Sequence, residues 1–246
     1  AALAQDPPGM VTLLLAKGGE VSPIQLAAYL GDLAKLKGHL EKGISVNAQD
    51  GSGLTPLHAA AATGQKEVVE FLIAAGASVS AMTGADGLGT PLHYAAQGGS
   101  RGVADLLLLK GANVGARNNK GETPLHLAAQ KGYTDLCRLL IARKANVNLK
   151  TREGATPLHY AAASGQKDVA ALLLEQGADI DLRNRGGETP VQVAADKKHK
   201  EVARLLVDKG ADVSSPDLLY PVVWRGDREL AEILIKKGAN VNAESA

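Results

Sequence analysis

The hydrophobic and polar positions of this chain follow a pattern that recurs about every 33 residues. Each recurrence contains an alanine pair, a later apolar triplet, and then glycine followed by alanine. The alanine pairs are Ala59-Ala60, Ala95-Ala96, Ala128-Ala129, Ala161-Ala162 and Ala194-Ala195, and the triplets include Phe71-Leu72-Ile73, Leu139-Leu140-Ile141, Leu172-Leu173-Leu174 and Leu205-Leu206-Val207. Alanine lets two helices approach closely, the triplet is typical of a second helix buried on more than one side, and the glycine suits a left-handed helix end. The pattern therefore predicts two short helices in every recurrence.

A four-residue segment precedes each alanine pair. Thr-Pro-Leu-His begins at Thr55, Thr90, Thr123 and Thr156, and a variant begins at Thr189, with spacings of 35, 33, 33 and 33 residues. Upstream by 33 residues lies Ser22-Pro23-Ile24-Gln25, and the last copy, Asp217-Leu218-Leu219-Tyr220, has decayed and follows after only 28 residues. Threonine suits a helix N-cap and proline the first helical position. The first helix of each recurrence is therefore predicted to begin at its proline.

Stretches such as "NNKGET" and "NRGGET" separate the recurrences and have the composition of tight turns. A unit of turn, helix, loop and helix cannot bury its own apolar face, so its copies must stack on one another. The period, cap, alanine pair, glycine and turn together resemble the ankyrin repeat, and the resemblance covers nearly the whole chain. It implies an all-α ankyrin-repeat solenoid of stacked helix-turn-helix repeats with projecting β-turn fingers.

The resemblance divides the chain, as a single domain over residues 1–246, into repeats. A partial repeat is predicted at 1–21, where "MVTLLLAKGG" resembles a second helix, and seven repeats are predicted at 22–54, 55–89, 90–122, 123–155, 156–188, 189–216 and 217–246. Full-length turns, which we call fingers, are expected at 48–54, 81–89, 116–122, 149–155 and 182–188. The turns at both ends are shorter, so fingers are expected to project only from the middle of the protein.

Composition narrows the classes of function. With a net charge of +1, the protein as a whole has little electrostatic attraction to nucleic acid or to an anionic membrane. The one cysteine, Cys137, permits no intramolecular disulfide, which fits a reducing compartment. No apolar run approaches the roughly 20 residues of a membrane-spanning helix. Ala2-Leu3-Ala4 resembles a signal-peptidase site, but no basic or long apolar segment precedes it, so a cytoplasmic location is favoured while export stays an alternative.

The repeated histidines raise the question of catalysis. In ankyrin repeats this histidine ties backbone groups of adjacent turns together, and repeats about 10 Å apart cannot share a metal ion whose ligands lie at about 2 Å. No phosphate-binding loop or serine nucleophile elbow is present, and "GADGLG" is more simply an enlarged turn. Cys137 stands where other repeats have Val or Ala, which favours a buried, inert thiol over a nucleophile. We predict no catalysis, no cofactor and no metal site.

Four of the seven aromatic residues are candidates for contact with a partner. Tyr94 and Tyr160 directly follow the histidine, and Tyr29 and Trp224 lie near the ends of first helices. The equivalents of the latter pair vary, which suggests exposure: Ala62, Gln97, Gln130, Ala163 and Asp196. In the ankyrin family, the turn tips and the exposed side of the first helices line a concave groove that binds proteins, and aromatic residues often anchor interfaces. The alternative is that each tyrosine packs on a neighbouring helix and Trp224 covers a weak terminal repeat.

A second set of candidates is basic. Successive fingers align Arg117, Lys150 and Arg183, with Lys120, Arg152 and Arg185 beside them and Lys131 and Lys197 at matching ends of first helices. The N-terminal fingers have Gln49, Gly51, Ser52 and Asp86 instead. One half of the groove is thus predicted to be cationic, which suits an acidic protein segment and would speed association at low salt. Glu122, Glu153 and Glu188 interleave, so a self-compensated, solvated surface is an equally good interpretation.

The resemblance implies a non-catalytic, monomeric module that binds another protein, for which an acidic segment is a candidate. Nucleic acid is not expected, because no platform of aromatic and basic residues is present, and neither is a membrane. An inhibitor or immunity-type protein that blocks a partner enzyme would use the same surface and stays an alternative. Lys144 stands where the other full repeats have glycine, so we expect a strained left-handed residue there.

Overall fold

The structure, a computed structural model, describes residues 22–84, 88–224 and 226–240. Within these residues the helices form consecutive pairs and no strand is present. The helices are α1 Pro23–Leu30, α2 Leu33–Glu41, α3 Pro56–Thr63, α4 Lys66–Ala74, α5 Pro91–Gln97, α6 Arg101–Leu109, α7 Pro124–Lys131, α8 Thr134–Ala142, α9 Pro157–Ala163, α10 Lys167–Glu175, α11 Pro190–Asp196, α12 Lys200–Asp208, α13 Pro216–Trp224 and α14 Arg228–Lys236. The predicted all-α architecture of paired helices is confirmed. The partial repeat at 1–21 and part of "GADGLG" lie outside the described residues, and the division into repeats stays a prediction.

The capping threonines explain where the first helices begin. Thr55, Thr90, Thr156 and Thr189 have an extended backbone, with ψ between 163° and 168°, and the proline after each lies in the first turn. Proline is favourable there because the N–H that it lacks has no partner inside the helix. The predicted helix starts are therefore confirmed at these four positions. The decayed last copy also forms a helix, α13, which begins at Pro216.

The two helices of a pair bury different kinds of surface. In α3 the run of alanines at 59–62 is almost fully buried, so neighbouring backbones can come close. In α12 the residues Val202, Ala203 and Leu206 are buried while Arg204 and Asp208 are exposed, which is the spacing of an amphipathic helix with one apolar face. No described helix combines the length and the apolar character needed to cross a membrane.

The chain divides into two compact units: residues up to 124 with 142–145, and 125–141 with the residues from 146 onward. In the first unit α1 packs on α3 and α3 on α5, while α4 packs on α6. In the second unit α9 packs on α11 and α11 on α13, while α10 packs on α12 and α12 on α14. Within each unit, therefore, first helices stack on first helices and second helices on second helices. This is the stacking predicted for units that cannot bury their apolar faces alone.

The turn after each second helix requires a left-handed backbone. The glycines there have φ between 83° and 96°: Gly43, Gly76, Gly111, Gly177, Gly210 and Gly238. Lys144 takes the same place with φ 72°, so the expected strained lysine is confirmed. A side chain is unfavourable at this φ because its Cβ crowds the neighbouring carbonyl oxygen.

Replacing Lys144 by glycine is expected to stabilise the protein. Relief of the left-handed strain outweighs the extra freedom of glycine in the unfolded chain, for a net gain of about 1 kcal/mol in the free energy of unfolding. Urea unfolding of Lys144→Gly beside the native chain measures the difference. Lys110→Gly, at a right-handed helix end with φ −93°, is the matched control and should gain nothing. Clear destabilisation by Lys144→Gly would contradict this account.

Candidate functional site

The fingers are rigid turns held by their own backbone and by one polar side chain. In the finger at 116–122, the Asn118 amide donates to the Glu122 carbonyl at 2.9 Å, and the Gly121 amide donates to the Asn118 carbonyl at 2.8 Å. The Asn118 Oδ1 also accepts from the Lys120 and Glu122 amides, each at 2.9 Å. Short polar side chains favour such turns because they bond their own backbone two to four residues on. The finger tip therefore presents its remaining side chains in a fixed arrangement.

Adjacent fingers are also joined to each other. In the first compact unit the Gly84 amide donates to the Ser52 carbonyl at 2.8 Å, and in the second the Arg185 amide donates to the Glu153 carbonyl at 2.8 Å. These bonds connect the tips of successive turns, so each finger supports the next. Side chains on neighbouring tips consequently keep a constant register within a compact unit.

The histidine after each threonine and proline connects one helix pair to the next. His58 Nδ1 accepts from the Thr55 amide at 3.2 Å, and His58 Nε2 contacts the Gly89 carbonyl at 2.9 Å. A carbonyl can only accept, so Nε2 carries the proton and Nδ1 is the unprotonated acceptor. His93, His126 and His159 reach the carbonyls of Glu122, Ala155 and Glu188 in the same way, at 3.0 to 3.2 Å. The role expected from the resemblance, tying adjacent turns together, is confirmed.

These histidines are poorly suited to acid–base chemistry. Burial lowers the pKa of His58 to about 4, and it lowers the pKa of His93 and His159 as well. Both ring nitrogens of His58 already have partners. Cys137 is fully buried and burial raises the pKa of its thiol to about 12, as an inert core cysteine requires. Among the described residues, no group of three metal-binding side chains comes together.

The basic candidates all lie on the surface. Arg117, Lys120, Lys131, Lys150, Arg152, Arg183, Arg185 and Lys197 are exposed. Two of them are brought together, because Lys150 Nζ donates to the Arg183 carbonyl at 3.1 Å. The Arg183 guanidinium donates to the Gly187 carbonyl at 2.7 Å. Both bonds go to backbone carbonyls, so they order the two side chains.

The interleaved glutamates compensate this charge unevenly. Glu153 forms an ion pair with Arg185 at 3.5 Å, but both side chains are about three-quarters exposed (74% and 75%), so the pair is weak. Glu122 is buried and Glu188 half-buried, and each accepts from the asparagine of its own finger, Asn118 at 2.7 Å and Asn184 at 2.8 Å. These two carboxylates are therefore committed to holding their turns in shape.

Tyr29 and Tyr94 are buried, so the exposure inferred for Tyr29 is wrong. Tyr94 is 5% exposed, its ring packs edge-on against His58 with centroids 5.1 Å apart, and its hydroxyl accepts from the Leu88 amide at 3.3 Å. Tyr29 is 8% exposed, because the next helix pair covers the end of α1 and Thr63 Oγ1 donates to the Tyr29 carbonyl at 2.9 Å. The packing alternative therefore describes both residues.

Tyr160 and Trp224 differ in their exposure to solvent. Tyr160 is half-buried and packs edge-on against His126 with centroids 5.2 Å apart, as Tyr94 does against His58. Trp224 is 77% exposed at the end of α13, so the exposure expected for it is confirmed. Of the four aromatic candidates, Trp224 is the one that presents a large apolar surface to solvent.

The sequence analysis missed two features of the last two helix pairs. Tyr220, Val223 and Ile235 are exposed, although their equivalents in the preceding pair, Gln192, Ala195 and Val207, are buried. Lys198 has φ 64° where every other helix pair has glycine. Tyr220, Val223 and Lys198 could have been found by aligning the recurrences column by column, because each departs from a residue that other copies keep; Ile235 does not.

Comparison with known proteins agrees with this architecture. The family model described as ankyrin repeats (3 copies) matches residues 1–83, 24–118, 92–184 and 145–217. A crystal structure of the human ASB11 ankyrin repeat domain is similar to this chain, with 27% sequence identity and a TM-score of 0.77. That similarity covers 92% of this chain and 100% of the ASB11 domain.

Proposed function

We propose that this chain, which belongs to the ankyrin repeat family, binds an acidic segment of a partner protein through the basic fingers of its second compact unit. Ankyrin repeats are generally protein–protein interaction modules, and the family is typically non-catalytic. The proposal adds the chemistry of the partner and the place where it binds.

The observation that carries the proposal is the ordered pair formed by Lys150 and Arg183. Both side chains are exposed, and their hydrogen bonds go to the carbonyls of Arg183 and Gly187. A long basic side chain normally loses rotamer freedom on binding, at about 0.5–1.5 kcal/mol for each one immobilised. Because hydrogen bonds already order these two side chains, a carboxylate partner avoids part of that cost.

The charge of the fingers changes sign along the chain. The fingers at 48–54 and 81–89 each contain one acidic residue and no basic one, whereas those at 116–122, 149–155 and 182–188 each contain two basic residues and one acidic residue. Two of these basic fingers lie in the second compact unit. Complementary charge raises association rates and suppresses wrong partners more than it raises affinity. The pattern therefore favours an acidic partner with a defined orientation.

Trp224 supplies a candidate apolar anchor in the same compact unit. It lies at the end of a first helix, as does the exposed Lys197 of the preceding pair. Interfaces draw most of their affinity from a few large side chains, among which tryptophan is enriched. We propose that Trp224 contributes affinity while the basic fingers contribute steering.

Neutralising the ordered pair tests this function. We expect Lys150→Gln/Arg183→Gln to bind a captured partner on the order of tenfold more weakly, mainly through slower association. The matched control is Lys209→Gln/Lys236→Gln, which removes the same charge from exposed residues at the ends of second helices. Partners would be captured from cells with the native chain, identified, and then measured by surface plasmon resonance at several salt concentrations.

The outcomes separate the alternatives. Equal binding by the native chain and both variants would contradict a role for the fingers. Equal losses in both variants would mean that net charge, and not the fingers, is recognised. If the partner is an enzyme and saturating native chain abolishes its turnover, the inhibitor alternative is favoured over a scaffold.

A further inference from the structure

A cavity of about 140 Å³ lies at the last junction of the second compact unit, where the loop between α11 and α12 meets the loop between α13 and α14. We call it the last-junction cavity. Its floor is apolar and consists of Ala195, Val222 and Leu230, all of which are buried. The fingers lead into the opposite, N-terminal ends of the first helices, so the cavity is distinct from the basic fingers.

At the two preceding junctions of this compact unit, a long side chain occupies the corresponding place over a glycine. Gln166 Nε2 donates to the Gln130 carbonyl at 3.3 Å, and the Gln166 side chain lies so close over Gly132 that a Cβ on that glycine would overlap its amide. His199 does the same one junction later, donating from Nε2 to the Ala163 carbonyl at 3.0 Å and lying over Gly165. We call this long side chain the filler. It fits only because the residue beneath it is a glycine, so filler and glycine form a pair.

At the last junction, both positions of this pair are occupied by other residues. Lys198 stands at the place of the glycine, and Asp227 at the place of the filler. Lys198 keeps the left-handed backbone with φ 64°, a conformation that is costly for a residue with a side chain. By the geometry of the earlier junctions, its Cβ would collide with a filler as long as glutamine. The side chain of Asp227 is shorter than that of glutamine or histidine, and the space above the floor stays open.

The rim of the cavity is positively charged. Lys198 and Lys200 line it together with Asp227. The Asp227 carboxylate is 3.3 Å from Lys200 Nζ, and it also accepts from the Leu230 amide at 3.3 Å as the N-cap of α14. Two ammonium groups and one carboxylate leave one excess positive charge above an apolar floor. An anion with an apolar body matches that arrangement.

We propose that the last-junction cavity binds a small carboxylate with an apolar tail of three or four carbons. The tail contacts Ala195, Val222 and Leu230, and the carboxylate lies between the ammonium groups of Lys198 and Lys200. The size agrees, since an apolar cavity of about 150 Å³ holds one benzene-sized molecule. Charge-assisted hydrogen bonds from ammonium to carboxylate are about twice as strong as neutral ones. The carboxylate is either a free short-chain acid or the side chain of a partner's glutamate, which present the same chemistry.

Butyrate is the probe for a free acid, and Trp224 is a built-in reporter. Trp224 is the single tryptophan of the chain and ends α13, two residues before Gly226, which also lines the cavity. We would titrate the full chain with butyrate and with butylammonium, following Trp224 fluorescence and the amide resonances of Gly226 and Asp227. We expect butyrate to bind at least tenfold more tightly than butylammonium.

Two variants tie the binding to this cavity. Asp227→Asn keeps the size and the capping ability of the side chain but removes its negative charge, so butyrate should bind several-fold more tightly. The double variant Lys198→Gly/Asp227→Gln recreates the pair formed by Gly132 and Gln166 and fills the space, so binding should be lost. Circular dichroism verifies that the double variant is folded, which is expected because it relieves the left-handed lysine.

A third measurement distinguishes a free short-chain acid from the glutamate side chain of a partner. The peptide acetyl-Gly-Glu-Gly-amide presents a glutamate side chain without a free terminus. Tighter binding of butyrate assigns a free acid, and equal or tighter binding of the peptide assigns a partner's glutamate; either result supports the site. Equal binding of butyrate and butylammonium, or unchanged butyrate binding by the folded double variant, would overturn the proposal.

Discussion

Lowering the pH from 7 to 4.5 is expected to reduce the free energy of unfolding of the native chain by about 2–3 kcal/mol more than that of a His58→Gln variant. The difference arises from one imidazole. Burial lowers the pKa of His58 from 6.5 to about 4 in the folded protein, whereas the unfolded chain keeps the ordinary value. Each unit of difference between the two states corresponds to about 1.4 kcal/mol.

The direction of the effect follows from proton binding. Below pH 6.5 the unfolded chain takes up a proton at His58 that the folded protein does not accept until about pH 4, so the stability falls as the pH falls through this window. The structure gives the reason, because Nδ1 accepts from the Thr55 amide and Thr55 Oγ1 lies 2.8 Å from the same nitrogen. A proton on Nδ1 would remove that acceptor and bury a charge.

Glutamine is the appropriate replacement because the chain already uses it at this place. Gln25 Nε2 donates to the Leu54 and Ala48 carbonyls, each at 2.9 Å, and Gln192 Oε1 accepts from the Thr189 amide at 2.9 Å. These are the two kinds of bond that His58 makes, without a titrating group. Urea unfolding of both proteins at pH 7 and pH 4.5 provides the comparison. An equal loss of stability in native chain and variant would show that His58 does not resist protonation.

The sequence predicted those parts of the structure that depend on local chemistry. Threonine followed by proline determines a helix start within one turn, so Thr55 and its equivalents were placed correctly, and the all-α ankyrin-repeat fold followed from their spacing. The left-handed Lys144 was predicted for the same reason, since its six equivalents are glycine. Such features are repeated in every copy, and the repetition distinguishes them from chance.

Exposure could not be predicted in the same way, because it depends on which neighbour covers a residue. Tyr94 was proposed as an aromatic contact, yet its equivalents are apolar, and Ala59, Leu127 and Val193 are buried while Leu26 is exposed. That column of apolar residues was the available signal. The last-junction cavity had no such signal, because it results from Lys198 and Asp227 acting together across two loops. Only the three-dimensional structure shows that Lys198 and Asp227 line the same cavity.

Replacing Gly98 by alanine is expected to lower the free energy of unfolding by about 2–3 kcal/mol, at the upper end of what one added methyl group costs in a tightly packed site. The backbone of Gly98 is no obstacle, since its φ of −85° suits any residue. The obstacle is α3, whose almost fully buried alanines bring it close to the end of α5. A Cβ on Gly98 would overlap the Ala62 carbonyl oxygen, and a backbone atom cannot rotate away as a flexible side chain can.

Gly102→Ala provides the matched control within the same compact unit. Gly102 lies in α6, is exposed, and has no atom within 4 Å of the place where a Cβ would be, so alanine there should stabilise the protein by up to about 1 kcal/mol through helix propensity. The same glycine-to-alanine substitution is thus expected to destabilise the protein at one glycine and stabilise it at another four residues away. Urea unfolding at pH 7 measures both. If Gly98→Ala were as stable as the native chain, α3 and α5 would have room to separate, and the close approach attributed to the alanines would not be required for folding.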